Sequence, residues 1–115
     1  IMYYIFLFGV SVNIFILDRN LKKCAQYHCD RHVVKMILES AQLLSTVLRI
    51  NDIDEGYRPT HQNHPCTLWA GKSLTNWIWL RKLAENLNSE YKFRFNKTTN
   101  QKVIGLTRAY SQQVL

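Results

Sequence analysis

All four histidines of this chain fall in two short motifs, His28 and His32 within YHCDRHVV and His61 and His64 within YRPTHQNHPCTLWA. Residues four apart share a helix face, so His28 and His32 project together, with Cys24 one turn earlier. Imidazoles at that spacing can chelate one zinc or another divalent metal, and His61, His64 or Cys66 could complete the shell if the loop folds over the helix. A solvated helix edge beside a positive surface produces the same spacing, so the motif alone does not decide for metal.

Acid–base work on a nucleic acid is the other chemistry these residues suggest. Asp30 stands among Arg31, His28, His32 and Lys35, groups that would hold its carboxylate ionised as a base or charge stabiliser. His28 and His32 would orient the reacting groups or shuttle protons, and Arg31 and Lys35 suit phosphate. The bland reading of the same charges is an exposed ladder of ion pairs. Glu39 is the second candidate acid. It follows His32 on the same helix with Met36 between them, which predicts burial, and Arg49 lies too far along to be its partner.

The loop adds Arg58, Thr60, His61, Asn63 and His64, donors and acceptors in a turn stiffened by Pro59 and Pro65. Such a composition suits a base or a phosphate, and would equally serve as a hydrogen-bonded joint between two helices. Trp77 belongs to an inward stripe. Trp79 must face elsewhere, which makes it a candidate for stacking on a base.

These side chains need elements to position them. The uncharged run IMYYIFLFGVSVNIFIL is broken by Gly9, Ser11 and Asn13 and is rich in aromatic and β-branched residues. It predicts strands over about residues 2–8 and 12–17, not a membrane span, which needs about 20 apolar residues. Val12 followed by NIFILD reads as a natural beginning, with residues 1–11 as an upstream extension. Asp18 and Asn20 are helix-start residues, and residues 21–49 contain neither Gly nor Pro. They predict one long helix with Leu21, Ala25, Cys29, Val33, Ile37, Ala41, Leu44 and Leu48 as its buried stripe.

After an acidic, Gly-bearing and Pro-bearing loop, Pro65 starts a second helical region capped by Asn63 or His64. That region breaks near Gly71 and resumes over about residues 73–91. The run YKFRF alternates like a strand, yet fits equally a helix end followed by a basic extension. Residues 96–115 read as a tail, with a weak helix over about residues 101–113.

At 115 residues with 47% hydrophobic content the chain is one domain with a modest core. Its 15 Lys+Arg against 8 Asp+Glu, a formal charge of +7, favour a polyanionic partner over an acidic small molecule. Three cysteines without framework spacing point to a reducing, cytoplasmic setting and not to a disulfide scaffold.

The run VNIFILD, then AQYHCDRHVVKMILESAQLLSTVLR, YRPTHQNHPCTLWA and NWIWL, resembles a family of small phage and bacterial proteins over about Val12 to Lys97. That resemblance attaches no activity. A more distant likeness is to the pyrimidine-dimer DNA glycosylases of the phage endonuclease V type, which are compact, basic and mainly helical. It implies that an N-terminal amine attacks the sugar carbon of a damaged nucleotide to form an imine, and that a carboxyl group assists glycosyl cleavage and strand scission. Asp30 is the nearest positional counterpart of that acid, with His28 and Arg31 as neighbours. The chain departs from the pattern in carrying Asp instead of Glu there, and in beginning upstream of the segment that would supply the amine.

The expectation is therefore a mainly α single domain of two long packed helices, with a short N-terminal strand or hairpin and a weak C-terminal helix. The expected partner is DNA, with no cofactor and no membrane. The expected function is a repair-type glycosylase or lyase using Asp30, His28, His32 and Glu39, with Arg31, Lys35, Arg58, His61, Asn63, His64 and Trp79 on the nucleic acid. Two alternatives stay open. One is a hydrolase or nuclease using zinc or another divalent metal on His28, His32, His61 and His64. The other is a non-catalytic nucleic-acid-binding or protein-binding module.

Overall fold

The computed structural model describes residues 3–5, 14–101 and 104–105. Strands β1 (Tyr3–Ile5) and β2 (Ile14–Ile16) pair antiparallel, Tyr4 opposite Phe15. They lie within the two expected strand segments. Helices α1 (Leu21–Gln26), α2 (Asp30–Ile50), α3 (Pro65–Gly71) and α4 (Leu74–Arg94) follow. The architecture is the expected one, mainly helical with two long helices packed together.

The core lies between α2 and α4. Val33, Ile37, Ala41, Leu44 and Leu48 are buried on α2, and Trp77, Leu80, Ala84 and Leu87 on α4. Their spacing of three and four is the reason this stripe could be read from the sequence. The Trp77 indole N–H donates to Leu44 O at 3.2 Å, so even the one polar atom of this core tryptophan is satisfied.

The long helix expected over residues 21–49 is in fact two, and the break has a local cause. A continuing helix would send the His28 N–H to Cys24 O. Here the His28 imidazole takes that carbonyl, its Nδ1 2.7 Å away, and the His28 N–H turns to Ala25 O. Cys29 is extended and serves as N-cap, and Asp30 opens α2. Cys29 is consequently exposed instead of forming part of the buried stripe. From the last turn of α4, Arg94 donates to Gln26 O and His28 O, each at 2.7 Å, and pairs with Asp30 at 3.1 Å. The carbonyls freed by the break are therefore bonded to a guanidinium.

The other helix ends follow their sequence signals. Asn20, His64 and Ser73 cap α1, α3 and α4 through their side chains, and Pro65 occupies the first turn of α3. YKFRF is a helix end, not a strand. Phe95 is the C-cap, Asn96 takes a positive φ of 53°, and the Lys97 N–H returns to Lys92 O at 2.9 Å. Of the C-terminal helix expected over residues 101–113, Ile104 and Gly105 are described as helical and Ile104 is fully buried; the rest lies outside the described residues. Among the described residues no helix is long and apolar enough to cross a membrane.

Candidate functional site

Along α2, His32, Glu39 and Thr46 are each seven residues apart, a spacing that drifts only roughly 20° around the helix axis and so makes one stripe. Both ends of the stripe are covered. Phe15 of β2 stacks on the His32 ring at 4.6 Å between centroids, the planes 19° apart. At the other end the Thr46 hydroxyl lies 3.2 Å from Thr60 O and accepts the Thr60 N–H at 3.1 Å. This tie draws the loop that carries His61 and His64 over the Glu39 side of α2. Glu39 sits between the two covers, roughly 10 Å along the axis from each.

Glu39 is 5% exposed, and among the described residues neither carboxyl oxygen has a hydrogen-bond partner. Burial pushes its pKa up, opposed by the Lys35 ammonium one turn earlier. Cys66 of α3 stands behind it, bonded to the backbone of Ile14. Burial raises the Cys66 thiol, and the nearby Glu39 carboxylate raises it further. The β2 strand thus reaches the same neighbourhood as the acid. It is gripped on its other side by Cys24, whose thiol donates to Phe15 O at 3.3 Å.

The buried histidines are held in opposite tautomers by their contacts. His28 Nδ1–H donates to Cys24 O, leaving a buried Nε2 lone pair without a partner. Burial, then the charges of His32 and Arg94, lower its pKa against the opposing Cys24 hydrogen bond, so the ring is neutral. The His64 Nδ1 instead accepts the Cys66 N–H at 3.0 Å, which puts the proton on Nε2, again buried and unpartnered. Burial and His61 lower the His64 pKa. The Thr67 hydroxyl, one turn on, is also buried without a partner. His61 is exposed, its Nδ1 2.8 Å from the Thr60 hydroxyl and its ring perpendicular to His64 at 6.2 Å.

Several sequence candidates lie elsewhere. His28 and His32 do not share a helix face, because the break puts His28 before α2. Each meets Phe15 instead, His28 edge-on at 5.9 Å. Asp30 points roughly 180° around α2 from Glu39. Its side chain is 75% exposed and bound to Arg94, so it is not the centre of the His28, His32 and Lys35 cluster. Trp79 is half-buried with its ring edge-on to Trp69 at 5.8 Å. Arg31, Lys35, Arg58 and Asn63 are exposed, and among the described residues the three cations have no ion-pair partner. Lys35 lies only roughly 40° from Glu39 around the helix, which places a free cation at the rim of the acid.

Among the described residues no group of three or more His, Cys, Asp and Glu side chains is placed to hold one metal ion, so the two histidine motifs do not join into a shell. Phe15, Thr46 and Thr67 belong to the site and were not singled out from the sequence, whereas Cys66 was named there only as a possible metal ligand. Thr46 carried a signal, since it continues the spacing of seven from His32 through Glu39. Comparison with protein families, curated proteins and solved structures gives no match.

Proposed function

We propose that this chain acts on DNA as a repair-type glycosylase or lyase, with Glu39 and not Asp30 as its working acid. The observation that carries the reading is the buried, unpartnered Glu39 carboxyl beneath the Lys35 rim. Burying a polar group without a hydrogen bond costs about 2–7 kcal/mol on transfer scales, and the Lys35 ammonium at the rim opposes only part of the burial. A raised pKa keeps the group protonated further toward neutrality, which suits a general acid that must then act as a base.

In this reading an α-amino nitrogen bonds to the sugar C1′, the glycosidic C–N bond breaks, and Glu39 protonates the departing base. The sugar ring then opens to an imine, the C1′–O4′ bond breaking as the ring oxygen takes up the proton given up by the attacking nitrogen. Glu39, now a carboxylate, accepts the C2′ proton as the 3′ phosphate leaves. The amine is the N-terminus of a chain begun at Val12, two positions ahead of Ile14 in the sequence. Arg31, Lys35 and Arg58 hold phosphates around the opening.

The test is borohydride trapping on a duplex with one abasic site, using a chain begun at Val12 and shown to be folded by circular dichroism. A covalent protein–DNA adduct is expected. A folded chain that gives none overturns the lyase reading, and salt-sensitive duplex binding without an adduct would mark a binding module instead.

A further inference from the structure

A second surface, separate from the Glu39 stripe, lies between α1 and α4. Lys22 and Gln26 share one face of α1, being four residues apart, and Asn86, Ser89, Glu90 and Phe93 share one face of α4. Together they line an open groove of about 620 Å³. The two faces present mostly long polar side chains with one aromatic, and an open cleft remains between them.

Phe93 is the anomaly in it. Its ring is 83% exposed, more than any other large hydrophobic residue among those described, although it stands in the last turn of a helix whose opposite face is fully packed. An exposed aromatic beside amide, hydroxyl and ammonium groups matches the chemistry of a nucleotide. The ring offers a stacking platform, Gln26 offers a paired donor and acceptor to a base edge, Asn86, whose amide nitrogen donates to Lys82 O at 2.8 Å, offers its Oδ1, and Lys22 offers a charge to phosphate. Glu90 is engaged by Arg94 at 3.6 Å, which tempers its charge toward an anionic ligand.

The groove is also connected to the rim of the Glu39 site. Arg94 follows Phe93, bonds Gln26 O, and pairs with Asp30, whose neighbour Arg31 is one of the free cations on α2. The groove therefore adjoins the α1–α2 break at the start of α2, where Arg31 is exposed.

We propose that the α1–α4 groove binds a nucleotide of single-stranded DNA, with Phe93 stacking on its base and Lys22 meeting its phosphate. This rests on the reading of the chain as a DNA-acting protein and adds a place for the strand outside the reacting position. The experiment is fluorescence anisotropy of the full chain with a short labelled oligothymidylate, comparing Phe93→Ala and Lys22→Ala with Lys72→Ala. Lys72 is exposed at the far end of α4 and controls for lost charge. Phe93→Ala is expected to weaken binding roughly tenfold, and Lys22→Ala more than Lys72→Ala, with thermal unfolding unchanged. Affinity within twofold of the parent in Phe93→Ala overturns the proposal, as does a chain that binds no oligonucleotide. Loss of the abasic-site adduct together with Phe93-dependent strand binding would remove the catalytic reading and leave the groove standing.

Discussion

Glu39 is where folding and chemistry pull in opposite directions. Its burial was legible in the helical spacing of residues 32, 36 and 39, and so was its need for a partner. The described residues supply none. A carboxyl whose pKa is raised in the fold contributes most below its ordinary pKa, where it is protonated folded or unfolded. Stability is lost as pH rises through the carboxylate range toward the raised value. Glu39→Met should therefore stabilise the protein by about 1–4 kcal/mol at pH 7, an advantage that shrinks as pH falls toward 4. His28, His32 and His64, lowered in the fold, titrate alike in both proteins and cancel. Urea unfolding across that pH range checks it, and an advantage that does not depend on pH would contradict it. Asp30 has a different setting from the one its sequence neighbours suggest. Its charged neighbours along the chain are real, but Arg94, 64 residues away, faces it instead.

At the scale of elements, periodicity carried the reading. The α2 stripe from Val33 to Leu48 and the α4 stripe from Trp77 to Leu87 repeat at three and four, and caps at Asn20, His64 and Ser73 announced helix starts. The break at residues 27–29 was not legible because no Gly or Pro marks it. It exists because His28 takes a carbonyl from its own backbone and a guanidinium from α4 bonds the carbonyls of Gln26 and His28, the second of which no local pattern encodes. Lysine at position 94 would keep the charge but lose the fork that reaches Gln26 O and His28 O together. Arg94→Lys is expected to cost about 1.5–3 kcal/mol in urea unfolding, and an unchanged midpoint would show that the break holds without the clamp.

For the whole molecule, the sign of the charge was plain in the composition and its arrangement was not. Asp30 and Glu90 are paired with Arg94, Asp54 with Arg49 and Glu85 with Arg81, so much of the acidity is neutralised locally. The excess of +7 is left to exposed cations such as Arg31, Lys35, Arg58 and Lys72. If those at the rim of the Glu39 site meet phosphates, duplex affinity falls linearly on a log–log plot against salt. Replacing both Arg31 and Lys35 by Ala should then reduce the slope by about two, as read by anisotropy over a salt series. A parent and double variant with equal slopes would place the DNA elsewhere.

The measurement that bears most directly on the assignment of the acid is the rate of strand scission at an abasic site for Glu39→Gln and Asp30→Asn side by side, each in the chain begun at Val12. Loss of a general acid–base group costs about 10²–10⁴ in rate. Glu39→Gln should fall by that much while Asp30→Asn stays within a few-fold of the parent. The reverse pattern, with Asp30→Asn inactive and Glu39→Gln unaffected, would contradict the account.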